Sequence, residues 1–262
     1  MVADAVDMDA ALWCLHRTAA AVADETLHLP EGLVCRTRSL PSVYTANQLD
    51  LSAAVAPAAA VALTERHQGD LPYRHVVAEH PTTIVGLDRF CAQAGWRRST
   101  EVLMVLSGRP GGPGRPAAGA AVELDEKRLL DMLDRWLEEV QPAITADIGA
   151  QLRAYHRREA AVWPERRLGL LDDSGRPAAI AELRFAGDGA WVEHVYTRPD
   201  QRGRGHARRL VTQAADMAAA AGCRRTFLVA DDGDWPKHLY ARIGFRPVGL
   251  VATFHRDLAP GP

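Results

Sequence analysis

Apolar and polar positions alternate with two different periods along this chain, and the changes of period mark its elements. Glu123 to Val140 places Leu129, Leu130, Leu133, Trp136, Leu137 and Val140 on one face at the helical repeat, with charges opposite. Pro142 ends that helix, and a second fits Ile144 to Arg157 with Ile148, Leu152 and Tyr155 inward. The period then shortens. Arg167–Leu171 and Ala178–Phe185 read as strands joined by Asp173-Ser174-Gly175, and Gly187-Asp188-Gly189 turns the chain into a third strand, Trp191–Thr197. This is an antiparallel meander. From Ala207 the residues Leu210, Val211, Ala214, Met217, Ala218 and Ala221 restore the helical stripe, with Gly222 where a left-handed cap belongs. Thr226–Ala230 is a short apolar strand suited to a buried parallel neighbour. Pro236 opens a short helix ending at Gly244, and Val248–Phe254 is the last strand.

The first half carries weaker signals. A helix is expected over Ala10 to Thr26 and a strand over Tyr73–Glu79. Between the halves lies Ser107-Gly108-Arg109-Pro110-Gly111-Gly112-Pro113-Gly114-Arg115-Pro116, which can sustain neither helix nor central strand. The expected organisation is a domain over 1–107, a Gly/Pro-rich linker over 108–119 and a second domain over 120–257. Arg89–Arg97 and His238–Arg246 align at a constant offset, Gly95 falling on Gly244 and Trp96 on Phe245, and a strand-like run follows each. Halves of matching length that share such an element imply duplication.

Composition adds bounds. The chain has 262 residues, 47% hydrophobic and 24% charged, enough to close two cores without metal or disulfide support. A net charge of −2 with no long block of one sign argues against general affinity for nucleic acid or anionic membrane. Cys14, Cys35, Cys91 and Cys223 are scattered, with no zinc or disulfide spacing, and read as reduced thiols of a cytoplasmic protein. The start, MVADAVDMDAALW, lacks the basic and apolar regions of a signal peptide, and no apolar run is long enough to span a bilayer.

The chemistry concentrates in Val195-Tyr196-Thr197-Arg198-Pro199-Asp200-Gln201-Arg202-Gly203-Arg204-Gly205-His206-Ala207, between a strand and the amphipathic helix. Gly203 and Gly205 let the backbone turn tightly and approach a ligand. The unpartnered N–H groups of the helix start face outward, and Arg202, Arg204 and Arg208 add charge. A pyrophosphate suits such a cradle; by itself, the segment also reads as a basic surface turn.

The segment resembles the R/Q-x-x-G-x-G/A signature of the GNAT superfamily of N-acetyltransferases, here Arg202, Arg204, Gly205 and Ala207 with Gln201 before them. Tyr240-Ala241-Arg242-Ile243-Gly244-Phe245 resembles the family's later Y-x-x-x-G-F element. The resemblance implies an α/β fold, a mixed central sheet flanked by helices, in two tandem GNAT-like halves of which the first has lost the motif. It implies acetyl-CoA as cofactor, with the pantetheine arm between Trp191–Thr197 and Thr226–Ala230. The cofactor contacts would come from Val195, Tyr196, Thr197, Arg202, Gly203, Arg204, Gly205, His206, Ala207 and Arg208. It implies direct attack of a small-molecule or peptide amine on the thioester, with Tyr240 donating a proton to the thiolate and Glu193 as general base. A non-catalytic CoA-binding or interaction module that keeps the fold is the alternative.

By strand alternation His194 is expected on the face opposite Glu193. Gly233 and Pro236 stand where many relatives carry Asn and Ala, within the acidic run Asp231-Asp232-Gly233-Asp234. That run reads either as a solvated turn or as an attraction for a cationic amine. The first half could wall the acceptor pocket, with 41–48 reaching it, or mediate a homodimer.

Overall fold

The computed structural model describes residues 2–92, 94–110 and 120–258. The expected linker lies from residue 111 to 119 outside the described residues, as does Gln93 of the repeated element.

The first half opens with α1 (Val2–Val22), which starts earlier than its apolar periodicity suggests, with Asp4 in its first turn at the favourable end of the helix dipole. It also ends earlier than expected. Thr26 belongs to a strand, β1 (Glu25–Leu29), which a tight turn at Pro30-Glu31 folds back onto β2 (Gly32–Arg36). β3 (Leu49–Leu51), α2 (Pro57–Gln68), β4 (Tyr73–Ala78), α3 (Pro81–Cys91) and β5 (Arg97–Ser107) follow.

The second half runs β6 (Val122–Glu123), α4 (Glu126–Val140), α5 (Ala146–Ala160), β7 (Glu165–Leu171), β8 (Pro177–Ala186) and β9 (Gly189–Thr197). It closes with α6 (His206–Ala220), β10 (Arg225–Asp231), α7 (Pro236–Ile243) and β11 (Arg246–Asp257). Every element expected in this half forms, with ends shifted by a few residues, as helix fraying and strand pairing dictate.

All described strands join one mixed sheet in the order β1-β2-β3-β4-β11-β5-β10-β9-β8-β7-β6. The two halves exchange their last strands. β11 lies between β4 and β5, with Phe254 opposite Val76 on one side and Arg98 on the other. β5 in turn pairs antiparallel with the whole of β10, from Ser107 opposite Arg225 to Glu101 opposite Asp231. Each half carries a parallel strand pair, β3/β4 and β9/β10, bridged by α2 and α6 respectively. In each half a short helix and a positive-φ glycine then lead into the exchanged strand: α3 with Gly95 (φ 72°), and α7 with Gly244 (φ 118°).

The core is layered on both faces of this sheet. α6 and α7 cover Val192, Leu228, Ala230 and Val102 on one face. α1 covers Leu103, Val105, Trp191 and Phe227 on the other, and α4 buries Leu129 and Met132 against Ile180 and Tyr196. In the first half, Phe254 and Ala252 of β11 sit among Leu49, Leu51, Leu87 and Trp96. The described cysteines are all free thiols, and no described helix is long and apolar enough to cross a membrane.

Candidate active site

The site begins where two neighbouring strands part. β9 and β10 pair only from Gly189 to Trp191 and from Arg225 to Phe227. Beyond that, β9 stays with β8 and β10 stays with β5, so their facing edges separate and leave backbone groups without a ladder partner. A β-bulge helps the parting. The register of β8 against β9 slips between Ile180 and Glu182, and His194 takes φ 49°, the single positive φ at a non-glycine residue among those described.

The bulge changes which side chains meet. Val192 and Val195 pack towards α6, whereas Trp191 faces α1 and Tyr196 faces α4. The extra residue, His194, does not cross to the α6 face as strict alternation requires. Its ring lies 5.3 Å from that of His156 on α5 and 6.4 Å from that of Trp136 on α4, and its Nδ1 is 4.0 Å from Glu193 Oε2. Glu193 and His194 therefore share one face, contrary to the expectation from alternation.

At the end of β9 the chain is anchored before it turns. The buried Arg198 donates to Asp172 at 2.9 Å, to Asp200 at 2.8 Å and to the Pro177 carbonyl at 3.1 Å. A 3-10 turn, Pro199–Gln201, leads to Gly203 (φ 76°) and to Gly205 (φ 75°), the residue that caps α6. A Cβ added at either glycine would enter open space, so both are exposed to a ligand. His206, Ala207 and Arg208 form the first turn of α6, where backbone N–H groups point out of the helix. The imidazole of His206 is held below its usual pKa by burial and by the charges of Arg209 and Arg204, and its buried Nδ1 has no protein partner.

Arg202 is committed elsewhere. It clasps both carboxylate oxygens of Glu139 on α4 (2.6 and 2.8 Å) and donates to the Thr197 carbonyl at 3.1 Å. The Tyr196 hydroxyl donates to the same Glu139 at 3.2 Å. Arg202 thus braces the cradle against α4. A cavity of about 620 Å³ adjoins this brace, bordered by Arg128, Arg135, Tyr196 and Asp200.

Tyr240 of α7 is buried, its ring centroid 6.3 Å from that of Phe245. Burial, then the charges of Glu193 and Asp234, push its phenol up to about 12, so it keeps its proton at neutral pH. The rise also makes full transfer to a thiolate uphill, which favours hydrogen-bond donation over outright protonation. Glu193 is half-buried, directly across from Glu182 in the sheet register.

The acidic turn is largely occupied with itself. Asp231 accepts from the Gly233 N–H at 2.6 Å, Asp234 from the Trp235 N–H at 2.7 Å, and Asp232 from Lys237 at 2.8 Å. That matches a solvated turn better than a row of free carboxylates. Glu101 joins from the other half: β5 places it opposite Asp231, and although the residue is exposed at the surface, desolvation of its carboxyl and the charges of Glu193 and Asp231 raise its pKa.

Beneath Glu193 lies a polar cluster that no motif announced. Glu182, fully buried, accepts from His156 Nε2 at 2.7 Å and from His194 Nδ1 at 2.6 Å, with Arg184 Nη2 3.2 Å away. Despite its burial, the two histidines and Arg184 hold Glu182 well below the usual carboxylate range. Three donors this close could hold a divalent cation. The Arg184 guanidinium beside the carboxylate opposes that use, and Glu182 already accepts from both histidines. A charged residue inside the apolar run Ala178–Leu183 was the signal available in the sequence.

The first half closes over this region. Ser42 N–H donates to Gln151 of α5 at 2.9 Å, and Leu40, Val43 and Ala46 pack on Leu152 and Tyr155. The segment 41–48 therefore docks on α5, the helix that carries His156.

The site thus lies where the parallel strands of a mixed sheet open beside a glycine-rich helix start. Residues 128–245 match the family model described as Acetyltransferase (GNAT) family. Among solved structures, the chain is similar to a functionally unknown conserved protein from Staphylococcus epidermidis. That protein is 14% identical, with 87% of this chain and 91% of that one covered and a TM-score of 0.67. A GCN5-related N-acetyltransferase from Kribbella flavida is 17% identical over 100% of this chain and 96% of that one, with a TM-score of 0.60. A tandem GNAT protein from the clavulanic acid biosynthesis pathway is 15% identical over 78% and 70%, with a TM-score of 0.53. These likenesses establish the fold. No curated protein matches the chain in sequence.

Proposed function

We propose that the protein is an acetyl-CoA-dependent N-acetyltransferase acting on a primary amine, with its site in the second half. The observation that carries this is the parting of β9 from β10 directly beside the Gly203/Gly205 cradle, inside the domain that matches the family. The residues present fit the cofactor. Both glycines face open space, a buried ring nitrogen at the helix start lacks a partner, and the strand edges offer unpaired backbone groups.

Gly203, Arg204, Gly205, His206, Ala207 and Arg208 would hold the pyrophosphate through backbone N–H groups and the helix dipole, with Arg202 bracing the turn from Glu139. Backbone groups of Val195, Tyr196 and Thr197 would align the pantetheine arm. When bound, acetyl-CoA supplies an activated acetyl thioester. Tyr240 would donate a hydrogen bond to the sulfur as it leaves. Glu193, the general base that the resemblance implies, lines the acceptor side, where its carboxylate would hold the amine's ammonium. With Glu101 and Asp231 nearby, the surroundings favour a cationic acceptor.

The first half is, on this account, a degenerate copy over 1–107 that kept the parallel pair and the exchanged strand but lost the cradle. Its role would be structural: it completes the sheet, supplies Glu101 and docks 41–48 on α5. Free thiols fit a reducing, cytoplasmic setting. Incubation with acetyl-CoA and a panel of primary amines, read by thiol release and product mass, tests the assignment. Products carrying one added acetyl group are expected. Protein that binds acetyl-CoA yet acetylates no amine would turn the assignment towards a binding module.

A further inference from the structure

We propose that His194, oriented by Glu182, is the group that takes the proton from the attacking amine; this rests on the acetyltransferase assignment above. The arrangement is a carboxylate–imidazole pair. Fully buried Glu182 accepts from Nδ1 at 2.6 Å, which fixes the ring and leaves Nε2 without a protein partner among the described residues. The side chain is 22% exposed, with its Nδ1 turned onto fully buried Glu182. His156 secures the second oxygen of Glu182 at 2.7 Å, so the carboxylate cannot swing away. A buried carboxylate that sets tautomer and orientation is the division of labour that makes an imidazole a general base.

Backbone strain supports the assignment independently. His194 adopts φ 49° at the bulge, a left-handed conformation that a non-glycine residue holds only where the surrounding structure enforces it. Without the bulge the imidazole would point into the apolar layer under α6. With it, the ring stands beside Glu193, just past the last β9/β10 pair. Bulges of this sort re-aim a side chain next to an active site.

Proton affinity agrees with the geometry. The groups facing His194 are Glu182 and Arg184 on β8, Glu193 on β9, and His156 and Glu159 on α5, with the Trp136 edge from α4. Burial opposes its charge, but Glu182, Glu193 and the Nδ1 hydrogen bond outweigh burial and Arg184 and raise its pKa to about 9. An alkylammonium near 10.4 can pass a proton to such a base at a cost of only about one unit. In the full step the ammonium gives one proton to Nε2, and the free amine attacks the carbonyl carbon. The C–N bond forms, the C–S bond breaks, the second proton from nitrogen passes to solvent, and the departing thiolate, hydrogen-bonded by Tyr240, takes a proton from solvent. His194 then returns its proton to solvent.

The test joins imidazole NMR with calorimetry and turnover on the full chain. Proton–nitrogen correlation spectra should show one ring, identified by its loss in His194→Asn, carrying its proton on Nδ1 and titrating near pH 9. Asn is chosen because it tolerates positive φ, so the bulge survives. In Glu182→Gln the titration should move down by at least one unit, and in wild type the ring signals should shift when acetyl-CoA is added. Thiol release with the amine panel should rise with pH along the same titration. His194→Asn should bind acetyl-CoA normally and turn over about 100-fold or more slowly, without that rise. An imidazole titrating near 6.5 and indifferent to Glu182→Gln would overturn the proposal, as would a full rate in His194→Asn. Absence of acetyl-CoA binding would instead remove the parent assignment, and the proposal with it.

Discussion

Cutting Phe254 back to alanine removes a ring from a C-terminal strand, yet the cavity opens in the core of the N-terminal half. Phe254 is 1% exposed and packs with Leu49, Leu51, Leu87 and Trp96 while its backbone pairs between Val76 and Arg98. A phenylalanine side chain buries roughly 150–250 Å², which at about 25 cal/mol per Å² amounts to around 4–6 kcal/mol of transfer free energy. Compact unfolded chains reduce that gain and the residual cavity adds to the loss, so about 3–5 kcal/mol is expected. Against a total stability on the order of 5–15 kcal/mol, the loss should move a urea midpoint down by about 1–2 M. Hydrogen exchange resolved by peptide should show weakened protection in β4 as well as β11, because β11 is β4's antiparallel neighbour. A loss below about 1 kcal/mol, or loosening confined to the second half with β4 unchanged, would refute the strand exchange.

Other perturbations probe the site and its surroundings. Tyr240→Phe should lower kcat by about 10- to 100-fold while leaving acetyl-CoA affinity intact, since the phenol acts only as the sulfur departs; an unchanged kcat would remove its role. Glu101→Gln should raise KM several-fold for a cationic amine and leave a neutral amine unaffected; equal effects on both would remove the electrostatic reading. Burial, then the charge of His255, holds His75 down to about 3, whereas the unfolded chain titrates near 6.5. The unfolded state therefore binds the extra proton, and stability should fall as pH drops below 6.5, by about 1.4 kcal/mol per unit from this group. His75→Asn should flatten that slope in denaturant titrations at pH 4.5 to 7, and an unchanged slope would contradict the assignment.

What the sequence disclosed and what it withheld divide along physical lines. Local order was legible: the α6 stripe, the glycine pair and the meander are set by residues within a turn or two of one another. Gly205 caps α6 and His206 opens it, as the spacing of the glycine pair implies. Strand exchange was not legible, because nothing in β5 or β11 distinguishes pairing within a half from pairing across halves. The repeated element around Gly95 and Gly244 marked both strands as equivalent without showing that each completes the other's half. The bulge was hidden for a similar reason. One inserted residue in β9 leaves no compositional trace, yet it reverses the side on which His194 lies. Glu182 and Glu101 were overlooked because their significance depends on partners 26 and 130 positions away, His156 and Asp231 respectively.

Calorimetric titration of acetyl-CoA into wild type and into Gly205→Glu tests the central claim most directly. The φ of 75° at Gly205 makes any side chain there strained, and a carboxylate at the α6 start would repel a pyrophosphate. The account predicts micromolar binding to wild type that disappears in the variant, while circular dichroism shows both folded. Equal binding to both proteins would contradict it, because the cradle would then not hold the cofactor.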